Sequence, residues 1–230
     1  MSTNFSLSSQ LFSEAFWRGV LAESDFFKPI QNDFAQESLN LETLRSQAEY
    51  NTGSISAFSA WCLFLLCRYF KVQRTIEVGT FIGRSTMSMA KAMNLNGGGE
   101  IHTCDASNQI SIVQHPPTRI IQYKKQTSTQ MLSSLSGSFD FAFIDGRLNE
   151  SDVALLSELL TDNAIVALDD FEGMEKGVGN LFNLRSHSRF QQLFLIPPPN
   201  LEIAEKLGFS SRSLTAVLLP PSLITLTNQG

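Results

Sequence analysis

The sequence has few of the residues that build the commonest metal and redox sites. Its 230 residues include three cysteines and three histidines. Cys62, Cys67 and Cys104 have no histidine or second cysteine at the spacing that binds zinc. The cysteines are odd in number and lie among apolar residues, so we predict reduced core residues of a cytoplasmic protein rather than disulfides.

Excess positive charge and long apolar segments are also missing. Lysine and arginine total 17 against 22 acidic residues, for a net charge of −5. No basic stripe is present to neutralise phosphates, which argues against a dedicated nucleic-acid binder. The longest apolar run, 57–67, is too short to span a bilayer. The first residues lack the cationic start and apolar core of a signal peptide. We therefore expect a cytoplasmic protein with neither a nucleic-acid nor a membrane partner.

The length suits one α/β domain with an accessory segment. Residues 1–50 are polar but rich in phenylalanine, and we interpret them as a helical N-terminal cap, with the main domain at 51–230. The cap is predicted to contain one or two short helices broken near Lys28 and Pro29, then a helix over 41–50. Its aromatic side chains could line an acceptor pocket as a lid, or could simply pack on the domain or in a homodimer contact.

Apolar runs alternate with helical patterns after residue 54, which predicts a doubly wound, mostly parallel sheet with helices on both faces. The last two apolar runs, separated by prolines and a glycine, predict an antiparallel edge pair and bring the sheet to seven strands. The predicted strands are 74–78, 100–104, 119–123, 140–144, 164–168, 193–196 and 214–219, and the predicted helices are 54–70, 85–94, 127–135 and 151–161, the last with Ser151 as N-cap.

Acidic residues lie at the carboxyl ends of four of the predicted strands: Glu77, Asp105, Asp145 and the pair Asp169–Asp170. In an open parallel sheet, ligands bind outside the carboxyl ends of the strands. Four acidic positions in register with those ends predict a ligand site rather than a solvated surface.

The segment 75–86, T-I-E-V-G-T-F-I-G-R-S-T, indicates which ligand this is. Glu77 offers a carboxylate, Gly79 and Gly83 let a ligand approach the backbone, and a helix start at Ser85 offers free N–H groups. The spacing lacks the first glycine of the dinucleotide fingerprint, which makes NAD the second choice. S-adenosylmethionine, with its amino group, carboxylate and adenosine, suits all these groups.

The same segment resembles the first motif of class I S-adenosylmethionine-dependent methyltransferases of the catechol O-methyltransferase type. The stretches F-I-D-G-R-L-N-E-S at 143–151 and A-L-D-D-F at 167–171 resemble metal-dependent sugar O-methyltransferases of macrolide and aminocoumarin biosynthesis. The resemblance covers roughly residues 70–219. It implies that Gly79, Phe81 and Ser85 hold the methionine part of the cofactor, Asp105 the ribose, and Ser128 and Thr129 the adenine, with Asp145, Asp169 and Asp170 as metal ligands.

The chemistry of three carboxylates agrees with that implied metal. They would repel one another without a cation, and oxygen ligands select a hard ion such as Mg²⁺, which could orient an acceptor hydroxyl and lower its pKa. The alternative is that Asp169 and Asp170 cap a helix after Phe171 while Asp145 bonds only the cofactor side.

The sequence departs from the family pattern where the base should be. Sugar-type enzymes have an aspartate where this chain has Arg147, and catechol-type enzymes have a lysine where it has Leu148. Arginine stays protonated and is no base. Another group, Glu150, Glu172 or His187, could serve, or the metal could suffice. Arg147 could instead clamp an acidic acceptor, or pair with Glu150 or Asp152 at the surface.

We therefore expect methyl transfer from S-adenosylmethionine to a hydroxyl of a small molecule, assisted by Mg²⁺, with Asp145 beside the reacting groups, in natural-product metabolism. Two alternatives stay open. One is a cofactor-binding regulatory or partner subunit without transferase activity, and the other is an NAD-dependent oxidoreductase.

Overall fold

The computed structural model describes residues 3–31, 46, 54–106, 111–171, 174–209 and 215–227. Its strands are β1 (Arg74–Val78), β2 (Glu100–Asp105), β3 (Arg119–Lys124), β4 (Phe139–Ile144), β5 (Leu160–Leu168), β6 (Phe194–Ile196) and β7 (Ala216–Leu219). Its helices are α1 (Thr3–Ala22), α2 (Ala57–Tyr69), α3 (Arg84–Leu95), α4 (Ser128–Ser134), α5 (Glu150–Leu159), α6 (Gly177–Arg185), α7 (Ser188–Gln191), α8 (Leu201–Lys206) and α9 (Pro221–Thr227).

The strands form one seven-stranded sheet in the order β3-β2-β1-β4-β5-β7-β6. Strands β1 to β5 pair in parallel, and β7 runs antiparallel to both β5 and β6. The strand order reverses beside β1, between β2 and β4. This is the topological switch point at which open α/β sheets bind ligands. The predicted fold class and the antiparallel edge pair are confirmed.

Two apolar cores cover the two faces of the sheet. Side chains alternate along each strand, so Phe141 and Phe143 of β4 enter one core while Ala142 and Ile144 enter the other. Helices α1, α2 and α3 contribute to the first core, and α4, α5, α6 and α7 to the second. Burial on both faces explains the continuous apolar stretches at 141–144 of β4 and 164–168 of β5.

The N-terminal helix is longer than predicted. Helix α1 runs unbroken over 20 residues, followed by a 3₁₀ turn at Glu23–Asp25. Phe16 and Trp17 are each 1% exposed and share the core of α2, and the Trp17 indole donates to the carbonyl of Pro197 at 2.6 Å. Apart from residue 46, the helix predicted over 41–50 lies outside the described residues. The lid role of the cap stays a prediction.

Two helix ends differ from the prediction. Helix α5 ends at Leu159, and residues 160–163 belong to β5, because the backbone is already extended at Leu160, with a φ of −82° and a ψ of 142°. Its N-cap is Asn149, whose side chain accepts from the Asp152 N–H while Asp152 bonds back to the Asn149 N–H. This reciprocal capping box gives two bonds where Ser151 would give one.

The described residues contain no helix long and apolar enough to cross a membrane. The three cysteines are buried and free, as predicted.

Candidate functional site

A cavity of about 510 Å³ opens at the carboxyl ends of β1, β2 and β4. Pockets of 300–1,000 Å³ are typical of cofactor sites. A smaller cavity, about 270 Å³, lies near the start of β5 and contains none of the predicted site residues. The larger cavity is lined by Val78, Gly79, Phe81, Cys104, Asp105, Ala106, Gln126, Thr127, Ser128, Asp145, Gly146, Arg147, Asn149 and Lys176.

Gly79 is a point of close backbone approach in the cavity wall. Its φ is +102°, and the N–H groups of Gly79 and Thr80 both donate to the carbonyl of Cys104, at 3.0 and 3.1 Å. A Cβ at this position would lie 3.0 Å from the backbone nitrogen of Gly146. Only glycine allows this conformation and this approach together. The first glycine of the motif is therefore required by the backbone geometry of the cavity wall.

Asp105 orients the loop that follows Gly79. One of its carboxylate oxygens accepts from the N–H of Phe81 at 2.8 Å, and this bond holds Phe81 at a φ of +42°. Such a backbone conformation is uncommon for a side chain other than glycine. Asp105 is 9% exposed and faces the cavity, where its carboxylate can accept hydrogen bonds from a ligand.

Glu77 lies behind the cavity rather than in its wall. Its side chain is fully buried and accepts from the hydroxyls of Ser85 and Thr86, each at 2.5 Å. Burial raises its pKa from 4.5 to about 7, although hydrogen bonds from Ser85, Thr103 and Thr86 partly offset this. Neither Gly83, at the N-cap of α3 with a φ of +81°, nor Ser85 lines the cavity. Contacts of these three residues with a cofactor stay predictions.

Asp152 connects α5 to the start of α4, where the predicted adenine contacts Ser128 and Thr129 lie. It is fully buried, and its two oxygens accept from Ser128 Oγ at 2.7 Å and Thr129 Oγ1 at 2.6 Å. Ser128 lines the cavity and Thr129 does not. The Ser128 and Thr129 hydroxyls therefore fasten α4 to α5, which fixes the position of Ser128 at the cavity wall.

Asp145, Asp169 and Asp170 come together as predicted. Each offers a carboxylate oxygen, and these oxygens lie within 4.8 Å of one another. Asp169 is 1% exposed and accepts from Thr215 Oγ1 at 2.7 Å. The alternative in which Asp169 and Asp170 cap the next helix is wrong, because α6 begins at Gly177 and its N-cap residue is Lys176.

A lysine lies against this acidic cluster. Lys176 Nζ is 3.2 Å from Asp145 Oδ1 and 2.8 Å from Asp170 Oδ2. Burial raises the pKa of Asp145 to about 6, opposed by the Lys176 ammonium and reinforced by Asp170 and Asp105. Burial lowers the pKa of Lys176, but the attraction of Asp145 and Asp170 outweighs it and raises that pKa, so the side chain remains an ammonium.

This ammonium bears on the predicted metal. A Mg²⁺ bound by the same aspartates would lie beside a cation that already contacts two of them, and like charges at such distances repel. The three oxygens could suit a hard ion by themselves. With Lys176 in contact, the cluster does not fit a divalent ion.

Of the positions considered for the base, Leu148, Glu150 and His187 do not line the cavity, and Glu172 lies outside the described residues. Leu148 is 5% exposed in the core. Arg147 lines the cavity but pairs with Glu175 at 3.5 Å in an exposed ion pair, rather than with Glu150 or Asp152. Glu150 is exposed at the start of α5.

His187 lies elsewhere in the fold. It is the N-cap of α7, and its Nδ1 accepts from the N–H of Arg189 at 3.4 Å. The Arg189 side chain bonds the carbonyls of Leu160 and Thr161, which begin β5, whereas Asp169 follows the last residue of that strand. His187 is therefore not among the residues that line the cavity.

Two functional positions were missed from the sequence. Asn180 is 2% exposed and fastens the loop after β4, accepting from the N–H of Leu148 at 2.9 Å and donating to the carbonyl of Gly146 at 2.7 Å. Lys176 lies seven positions after Asp169 with no pattern around it. An asparagine on a helix and a lysine in a loop carry no local signal, because their partners are distant in the chain.

Residues 76–171 match the model of a protein family described as a methyltransferase domain. Over 120 residues the chain is 28% identical to the O-methyltransferase ankF of Aspergillus thermomutatus. The aligned region is 47% of this chain and 49% of that protein. The chain spans about half the length of the curated relative it matches.

Solved structures share the fold at low sequence identity. The cofactor-bound protein Rv0187 from MTB is 17% identical, and the alignment covers 79% of this chain and 88% of the Rv0187 chain with a TM-score of 0.54. The O-methyltransferase from Bacillus cereus in complex with SAH is 13% identical, covers 78% and 89%, and has a TM-score of 0.53. The SAH-bound methyltransferase PaMTH1 of Podospora anserina is 14% identical, covers 78% and 85%, and has a TM-score of 0.51.

Proposed function

We propose that this chain, which has the fold of the class I methyltransferases and matches a methyltransferase domain at residues 76–171, transfers a methyl group from S-adenosylmethionine to a hydroxyl of a small molecule. The observation that carries the proposal is the cavity at the switch point, where Gly79 and Asp105 form one continuous wall. The curated relative named above, which is 28% identical over 120 residues, is an O-methyltransferase.

The cavity residues fit S-adenosylmethionine. The wall at Gly79 and Phe81 would receive the methionine part, Asp105 would accept from the ribose hydroxyls, and Ser128 would lie against the adenine. Two of the structures with this fold were solved with SAH. When bound, this cofactor supplies a methyl group already activated by its sulfonium.

The chain's own contribution is positioning. Asp105 fastens the loop after β1, Asn180 fastens the loop after β4, and Asp152 fastens the start of α4, so the cavity wall is held in shape before a ligand enters. A fixed site that aligns the methyl group and the acceptor oxygen, and keeps water out, removes much of the barrier to transfer. Asp145 and Lys176 form an ion pair in this wall.

The acceptor is a small molecule with a hydroxyl group, and natural-product metabolism is the setting predicted from the sequence. Magnesium assistance, also predicted from the sequence, is not part of this proposal, because the Lys176 ammonium already contacts Asp145 and Asp170. A cytoplasmic location and a homodimer remain predictions.

Calorimetric titration of the full chain with S-adenosylhomocysteine and with NAD tests the cofactor. We expect S-adenosylhomocysteine to bind and NAD not to bind. Binding of NAD alone would refute the proposal in favour of an oxidoreductase.

Mass spectrometry then tests the reaction, using S-adenosylmethionine with phenols, sugars and hydroxy acids as acceptors. We expect one added methyl group on an oxygen of the accepted compound. If S-adenosylhomocysteine binds and no hydroxyl acceptor is methylated, the alternative of a cofactor-binding partner protein is favoured.

A further inference from the structure

The position of Lys176 is fixed by the backbone around it. A Cβ on Gly177 would lie 2.4 Å from the carbonyl oxygen of Asp169 and 2.8 Å from that of Asp170, so α6 begins in direct contact with these two residues. The Lys176 carbonyl accepts from the N–H of Asn180 at 2.7 Å. Because Gly177 packs directly against Asp169 and Asp170, the residue before it, Lys176, lies next to the acidic cluster.

The side chain of Lys176 is half-buried and directed at the cluster. Its Nζ contacts Asp145 at 3.2 Å and Asp170 at 2.8 Å, while Asp169 bonds Thr215. An ammonium has three N–H donors, and these two contacts use two of them. Lys176 also lines the cavity, so the third donor can face a bound molecule.

We propose that the Lys176 ammonium is the resident cation of the cluster formed by Asp145, Asp169 and Asp170, and that it replaces a divalent metal in holding the acceptor oxygen. The part concerning the acceptor rests on the proposed function. A side-chain cation gives the cluster the positive charge that three neighbouring carboxylates require. It also offers a hydrogen-bond donor where a metal would offer a coordination position.

The charges around the ammonium agree with this assignment. Asp145, Asp169 and Asp170 face it from the ends of β4 and β5, and Asp105 faces the same cavity from β2. The other cation among the described lining residues is Arg147, which is exposed and pairs with Glu175. Lys176 is thus the cation in direct contact with the cluster.

Binding of Mn²⁺, followed by electron paramagnetic resonance on the full chain, tests the resident cation without any acceptor. We expect no Mn²⁺ binding by the unmodified protein at concentrations up to about 1 mM, the weak limit of oxygen-ligand sites. Lys176→Met removes the charge and keeps a side chain of similar length. We expect this variant to bind one Mn²⁺ at least about tenfold more tightly, since an adjacent unit charge changes such equilibria by about 10- to 1,000-fold.

Two controls and a second substitution keep the test decisive. Arg147→Met removes one positive charge from the same cavity and should leave Mn²⁺ binding absent. Adding Asp169→Asn to Lys176→Met should abolish the new binding. Lys176→Gln serves if circular dichroism shows that the methionine variant is unfolded. Mn²⁺ binding by the unmodified protein, or no binding by any folded Lys176 variant, would overturn the proposal.

Activity provides the second readout once an accepted hydroxyl compound is known. We expect EDTA to leave the unmodified protein fully active. Lys176→Met should lose activity in EDTA and regain part of it with Mg²⁺. Loss of the unmodified protein's activity in EDTA would refute the replacement of a metal. Failure to bind S-adenosylhomocysteine would instead refute the proposed function, and the Mn²⁺ result would still stand by itself.

Discussion

Replacing Glu77 by glutamine should change how stability depends on pH. Glu77 is fully buried, and burial raises its pKa from 4.5 to about 7 while hydroxyls of Ser85, Thr103 and Thr86 donate to it. Each tenfold change in a proton dissociation constant corresponds to about 1.4 kcal/mol. The penalty for ionising Glu77 in the folded state is therefore about 3 kcal/mol when it is complete.

The sign of the effect follows from proton binding. Between the two pKa values of 4.5 and about 7, the folded state holds a proton that the unfolded state releases. Stability due to this group is therefore present below pH 4.5 and is lost as pH rises to about 7. Glutamine fills nearly the same space, can bond the same hydroxyls and does not ionise, so the variant lacks this loss.

Urea denaturation at pH 5 and pH 8, followed by the fluorescence of the buried Trp17 and Trp61, measures the difference. We expect the free energy of unfolding of Glu77→Gln to rise relative to the unmodified protein by about 2–3 kcal/mol between these pH values. Glu158→Gln, at an exposed position of α5, serves as the control and should show no such change. A constant difference between Glu77→Gln and the unmodified protein would refute the reasoning.

Three further predictions concern the cavity wall. Gly79→Ala should abolish S-adenosylhomocysteine binding in calorimetry, because its Cβ would meet Gly146, whereas Gly97→Ala has a similar φ of +104° with nothing within 4 Å and should bind normally. Asp105→Ala should weaken the same binding by about 1.5–3 kcal/mol, the usual range for hydrogen bonds to a charged group, and unchanged affinity would contradict the ribose assignment. Asn180→Ala should lower the free energy of unfolding by about 1–3 kcal/mol in urea titrations, because it leaves buried backbone groups unpaired, and an unchanged midpoint would contradict that role.

Much of the fold could be predicted from local sequence. The seven strands lie close to their predicted positions, and the helices α2 to α5 lie where the spacing predicts them. Helix ends were less predictable. Asn149 rather than Ser151 caps α5, because the capping box depends on the reach of Asp152 three residues later.

The candidate site was predicted in part. Gly79, Phe81, Asp105, Ser128 and Asp145 line one cavity, since each follows a strand or begins a helix at the same edge of the sheet. The resemblance to class I methyltransferases is supported by the domain match and confirmed for the fold. The roles of Glu150 and His187 remain predictions without a place in the cavity.

The sequence by itself determined the alternation of strands and helices, the acidic residues at the strand ends and the glycine that the first loop requires. These depend on local periodicity and on backbone conformation, which neighbouring residues control. Only the tertiary structure decided that the Glu77 carboxylate points away from the cavity and that Lys176 fills the acidic cluster. Both depend on where a side chain ends after the chain has folded back, and Lys176 reaches Asp145 across 31 residues of sequence. The first motif thus indicates a cofactor, while the cation beside Asp145 and Asp170 follows from the packing of α6 against β5.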